Sequence, residues 1–264
     1  MKVELLKDLD RPGGWTLVVG GAEQSYVDVE DPTHLEFEYM QHIALVVDAV
    51  FDPPAPLDVV HLGGGALTMP RWIAATRPGS RQVVFEASQQ ILDTVRPLGP
   101  VPDCELRLGE AIDGMAGVDA ASVDLAIWDL YDGPRAVTTA LDLAALWLIR
   151  RVLRPHGLAV LNVSDVMPFA VVRPVLAGLR AVCDHVVLLA EPSTLRGRRS
   201  GNCVLVGGPP SLPMARLRRS AASAPVRARV LAGAAMTEFV GAAAPATADT
   251  PLPQPDEASG RAFL

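Results

Sequence analysis

The chain is short of the features that define several large protein classes. Among 264 residues it has three cysteines, Cys104, Cys183 and Cys203, an odd count, each inside an apolar run. That excludes a disulfide framework and reads as buried free thiols in a reducing compartment. Its five histidines, His34, His42, His61, His156 and His185, are scattered without metal-ligand spacing, so no metal site is expected. His61 lies in an apolar strand-like run and reads as a hydrogen-bonded core residue. Positive charge is in deficit, 23 Lys and Arg against 30 Asp and Glu for a formal net charge of −7, so no general attraction to nucleic acid or an anionic membrane is expected. A small or cationic ligand suits that balance better. No stretch reaches the ~18 uninterrupted apolar residues of a membrane span, and MKVELLKDLDRPGG has no apolar signal-peptide segment, so a cytoplasmic location is expected. There is no G-x-S-x-G elbow and no internal repeat.

What is present is hydrophobic material: half of the residues, enough for one substantial core. Short β-rich runs occur at 57–62, 81–86, 104–109, 123–129, 157–163, 185–190 and 202–207. The first five are separated by segments long enough for crossover helices, including the amphipathic 138–153, which stops before Pro155 and Gly157. Near-continuous apolar strands joined by helices imply a mostly parallel sheet covered on both faces. The last two runs are joined by EPSTLRGRRSG, too short for a crossover, so they must form an antiparallel hairpin. Arg196, Arg198 and Arg199 in that connection read as solvated loop charge. Trp72, Trp128 and Trp147 read as core packing.

Two flanks complete the plan. Residues 1–33 read as a β-hairpin unit around the turn Arg11-Pro12-Gly13-Gly14, and 34–51 as an amphipathic helix opening an α/β domain over 34–210. Over 211–264 the composition shifts to Ala, Pro and Arg. Short helices are expected at 213–221 and 224–240, then an extended or disordered tail.

The chemistry concentrates at strand ends. HLGGGALTMPRW, 61–72, places Gly63, Gly64 and Gly65 between a strand and a helix, where backbone amides approach a ligand closely. A dinucleotide fingerprint would have a further glycine where Thr68 stands, which counts against NAD. Thr68 before Pro70 reads as a helix N-cap. Glu86 ends the next strand 23 positions after Gly63, near the ~20-residue spacing at which an acid meets ribose hydroxyls. Glu110 follows Gly109 at the end of the third strand and faces the same crevice, where it can accept from an exocyclic amine. The fourth strand runs into Asp129-Leu130-Tyr131-Asp132-Gly133-Pro134. The two carboxylates can bind an ammonium group, and one of them can take its proton, which frees an amine to attack; a plain turn with a capping Asp is the other reading.

The strand plan is that of class I methyltransferase-like (Rossmann-like) α/β domains, a seven-stranded sheet with an antiparallel terminal hairpin. From about Gly20 to Gly207 the order of motifs resembles the spermidine synthase (polyamine aminopropyltransferase) family, in particular its spermidine synthase-like bacterial members. Gly21-x-x-Gln24 is similar to the family's D-G-x-x-Q element, with Gly20 in place of the Asp, and Glu36-Phe37-x-Tyr39 to its E-F-x-Y segment. The resemblance implies that Gln24, Gly63, Gly64, Gly65, Glu86, Glu110 and Asp129 surround decarboxylated S-adenosylmethionine or S-adenosylmethionine. It further implies that Asp129 deprotonates a small-molecule amine acceptor, that Asp132 is the second acid, that Tyr39 lies on the amine side, and that the setting is polyamine biosynthesis. Family members are commonly dimers or tetramers; the sequence leaves this chain's oligomeric state open. Departures fall on the amine side. Ala66-Leu67 follow the glycines where the family has Asp-Gly, Met40 replaces a polar residue, and Leu130-Tyr131 replace a small Ser-rich pair. An S-adenosylmethionine-dependent methyltransferase and a non-catalytic ligand-binding or scaffold protein on the same fold are the alternatives.

Overall fold

A computed structural model describes residues 2–132, 135–136 and 141–253, with the backbone alone at 132, 135 and 136. The chain opens on an antiparallel sheet of β1 (Val3–Lys7), β2 (Gly14–Val19) and β3 (Ala22–Asp28), so the N-terminal unit has a third strand beyond the expected hairpin. Then come α1 (Glu38–Val50), β4 (Asp58–Leu62), α2 (Thr68–Thr76), β5 (Arg81–Glu86), α3 (Gln89–Val95), β6 (Cys104–Leu108), α4 (Ala111–Ala116) and β7 (Val123–Trp128). A two-stranded ladder, β8 (Tyr131–Asp132) with β9 (Arg135–Ala136), precedes α5 (Leu143–Val152), β10 (Leu153–Asp165), α6 (Val172–Val182), β11 (His185–Ala190), α7 (Pro192–Leu195) and β12 (Gly201–Gly208). The chain continues through α8 (Met214–Ser223), β13 (Arg229–Leu231) and α9 (Ala234–Val240).

The main sheet has the order β13-β11-β12-β10-β7-β4-β5-β6. Strands β10, β7, β4, β5 and β6 run parallel, and β12 is antiparallel to both β10 and β11. This is the expected α/β plan of parallel strands closed by a terminal hairpin, with an eighth strand, β13, added antiparallel to β11. The helix expected over 224–240 is therefore divided into that strand and the shorter α9.

The elements follow from burial. In α6, Val172, Val175, Leu176, Leu179 and Val182 recur at helical spacing and are all buried. The central strands bury both faces; in β10, Val160 and Leu161 have no exposed surface although they point to opposite sides. At the amino ends of the parallel strands, Arg81 and Arg154 both bond to Asp58, and Arg154 also reaches Asp124 at 2.6 Å. His61 is buried and paired with Gln82 Oε1 at 2.8 Å; burial pushes its imidazole down to about 4, so it is neutral.

Three further expectations change. Trp147 is 54% exposed, unlike the buried Trp72 and Trp128, because α5 turns Leu146, Ile149 and Val152 to the core instead. Thr68 is not the helix cap; Leu67 occupies that position in a left-handed conformation, φ +61°. Residues 241–253 pack rather than trail away, with Ala246 and Leu252 buried and Ala246 O accepting from Leu143 N–H. The remainder of the expected tail, 254–264, lies outside the described residues.

Candidate active site

The glycine turn is tied to both neighbouring strands. Gly63 N–H donates to Phe85 O and Asp129 N–H to Leu62 O, each at 2.9 Å, so three parallel strands end at one level. Gly63 has φ +102°, and a Cβ there would overlap the Asp129 carbonyl oxygen. Gly64 N–H donates to Glu86 Oε2 at 3.0 Å, and Ser88 N–H to Glu86 Oε1 at 2.9 Å. Two backbone amides thereby fix a carboxylate whose other lone pairs remain for a ligand.

Above this turn lies a cavity of about 590 Å³, within the usual range for a small-molecule site. The structure brings Gln24, Gly63, Gly64, Gly65, Glu86, Glu110 and Asp129 together on its wall. Glu110 is an exposed acid there; among the described residues no Lys or Arg lines the cavity. The N-terminal sheet roofs it. Thr68 Oγ1 donates to Tyr26 O at 2.6 Å and lies 3.3 Å from Ser25 Oγ, and Gln24 Nε2 donates to Tyr131 O at 3.0 Å. Gln24 Oε1 is buried without a hydrogen-bond partner among the described residues, an acceptor left over for a donor in the cavity.

Asp129 is held from two sides. Tyr39 OH donates to its Oδ2 at 3.0 Å and Asn162 Nδ2 to its Oδ1 at 2.8 Å. Burial raises its pKa to about 6 against the pull of those two donors. Tyr39 and Tyr131 are pushed well above the usual phenol range, by burial first and then by the Asp129 charge, so both are neutral donors. Tyr131 OH donates onward to Asn202 Oδ1 at 3.2 Å. The side chain of Asp132 lies outside the described residues.

No sequence motif marks Asn162 as a site residue. It stands in the run GLAVLNV, where a single amide in an apolar strand was the available signal. Asn162→Ala removes one of the two donors that favour the ionised carboxylate. The pKa of Asp129 is then expected to rise further, moving the acid limb of any pH–rate profile up; an unmoved limb would mean that Asn162 only packs.

No protein-family model matches the chain, and no curated protein matches it in sequence. Solved structures do. A probable spermidine synthase from Corynebacterium glutamicum superposes with a TM-score of 0.83 at 29% identity, over 92% of this chain and 91% of that one. The chain has a spermidine synthase-like fold. A spermidine synthase in complex with the transition state analogue AdoDATO matches with a TM-score of 0.60 at 14% identity, over 84% of this chain and 73% of that one. Human methyltransferase-like protein 13, in complex with SAH, matches at 0.54 and 18%, over 76% and 89%; these two share the fold.

In this spermidine synthase-like chain the residues after the glycines have a packing role. Ala66 and Leu67 are buried in a cluster with Leu17, Val19 and Val27 of the N-terminal sheet. A carboxylate at position 66 would be buried among those apolar groups, which accounts physically for the missing aspartate.

Proposed function

We propose that this chain is an aminopropyltransferase-like enzyme that binds decarboxylated S-adenosylmethionine and passes its aminopropyl group to a small amine. The observation that carries this reading is Asp129: a buried carboxylate, oriented by Tyr39 and Asn162, with a pKa near 6, on the wall of an acid-lined cavity beside a nucleotide-type glycine turn. The fit to the nucleoside rests on acceptors with capacity to spare. Glu86 is placed to accept the ribose hydroxyls, while Gln24 Oε1 and Glu110 accept from N–H groups. The cavity's carboxylates favour a cationic ligand.

The sulfonium of the donor makes its neighbouring carbon electrophilic and leaves as a neutral thioether. Asp129, ionised above about pH 6, takes a proton from the acceptor's ammonium, and the exposed lone pair forms the new C–N bond as the C–S bond breaks. Tyr39 and Asn162 hold the base in position, and the cavity supplies proximity. Methyl transfer from S-adenosylmethionine is the second reading; the absence of an acid at Ala66 favours it, because a carboxylate there would repel the carboxylate that S-adenosylmethionine retains and the decarboxylated donor lacks.

Calorimetric titration with decarboxylated S-adenosylmethionine, S-adenosylmethionine and methylthioadenosine separates these readings. Tightest binding of the decarboxylated form, with turnover on a diamine, is the expected result. Preference for the carboxylated form moves the assignment to methyl transfer, and silence from all three leaves a fold without this activity. Glu86→Gln is expected to weaken nucleoside binding roughly tenfold or more, since the amide turns a donor toward amides and hydroxyls that need an acceptor. Unchanged affinity would remove Glu86 from the ribose site.

A further inference from the structure

Strand β6 ends the main sheet, and among the described residues no strand lies on its outer side. It is also bare. Leu106 and Leu108 are 44% and 54% exposed, and the strand CELRL contains neither a proline nor a lysine to discourage pairing.

Its backbone phase can be read from the ladder to β5. Gln82 N–H donates to Asp103 O, and Gly109 N–H donates to Glu86 O. In a parallel pair, alternate residues turn both backbone groups toward the neighbour. Asp103, Glu105, Arg107 and Gly109 therefore face β5, which leaves the N–H and C=O of Cys104, Leu106 and Leu108 directed outward.

The side chains carry a second regularity. Glu105 and Arg107 share one face of β6, with Arg107 bonded to both Glu105 oxygens at 2.9 Å, and their centre of symmetry is Leu106. A strand of this sequence is complementary to itself when reversed.

We infer that β6 is a pairing edge for a second copy of this chain, joined antiparallel about a two-fold axis at Leu106. In that register Leu106 meets Leu106 of the second copy as a hydrogen-bonded pair, and Cys104 meets Leu108 likewise, so every outward backbone group of the strand finds a partner. Glu105 then stands opposite Arg107 of the second copy as a non-bonded pair. There the side chains approach most closely, and opposite charges stabilise the match. A shift by one residue would turn inward-facing backbone groups to the partner, and a shift by two would place Arg107 opposite itself. Both the backbone phase and the charges thus select the same register. The two eight-stranded sheets become one continuous sheet, an isologous arrangement.

The test is sedimentation or light scattering of the full chain over a dilution series. Wild type is expected to dimerise. Glu105→Arg and Arg107→Glu alone each place like charges opposite one another and should weaken the dimer about tenfold. Mixing these two variants should restore association, because the arginines of one face the glutamates of the other; the double exchange E105R/R107E should also restore it. These side chains are on the surface, and matching thermal midpoints would show the folds intact. A wild type that stays monomeric throughout, or a dimer equally strong in both single variants, would overturn the proposal. So would failure of the mixed variants to associate better than either alone.

Discussion

Asp129→Asn is expected to abolish turnover, by a factor on the order of 10² to 10⁴, and at the same time to make the protein more stable at neutral pH. The first effect follows because a carboxamide cannot take the proton. The second follows from linkage. In the folded protein the Asp129 pKa is raised from an ordinary 3.8 to about 6, so folding favours the protonated form. Its contribution is complete below about pH 4 and is lost as pH rises through about 6. Above that, keeping the buried carboxylate ionised costs on the order of 2 to 3 kcal/mol. Asn keeps the acceptor for Asn162 and carries no charge, so the gain should appear at neutral pH and vanish near pH 4. Denaturant unfolding at the two pH values measures it, alongside methylthioadenosine affinity, which should stay within a few-fold. A variant less stable than wild type at neutral pH would make Asp129 a structural residue instead.

The largest structural effect is expected at Gly63→Ala. At φ +102° the position strains any L-residue, and the added methyl would meet the carbonyl of Asp129, with the carbonyl carbon at 3.0 Å. Neither backbone can yield easily, since Asp129 N–H is bonded to Leu62 O and Gly63 N–H to Phe85 O. The ends of β4 and β7 would have to part, at a cost of about 3 kcal/mol or more, and nucleoside binding would go with them. Gly65→Ala is the control: its φ of +49° is in the left-handed region and its nearest neighbour is the Ser25 side chain at 3.3 Å, so a smaller loss is expected. Equal stability of Gly63→Ala and wild type would show that the turn does not set the position of Asp129.

Much of the sheet was legible because its strands are apolar on both faces and end on polar or glycine residues. The runs 81–86 and 185–190 match β5 and β11 residue for residue. Strand β13 was hidden: three residues inside Arg- and Ala-rich sequence offer no periodicity, and pairing with β11 creates the strand. Thr68 looked like a cap by local chemistry, yet its hydroxyl is spent on Tyr26 O, a contact visible only in three dimensions. Hydrophobicity alone points Trp147 inward, although helix phase directs it outward. At the site, the glycines and acids were readable because turns and strand ends have signatures. The partners of Asp129 were less so: Tyr39 entered by resemblance, and Asn162 became visible when β10 was laid beside β7.

The roof of the cavity includes Gln24 and Ser25 and one wall comes from residues 129–131, joined by the Gln24–Tyr131 bond across 107 positions of sequence. Bringing such distant segments together carries a loop-closure cost that local helices and hairpins avoid. The pocket is thus absent from any partly folded chain whose first sheet has not docked. Binding of the proposed nucleoside would accordingly report completed folding, and a ligand that selects the finished pocket should delay unfolding of the N-terminal sheet and the central strands together.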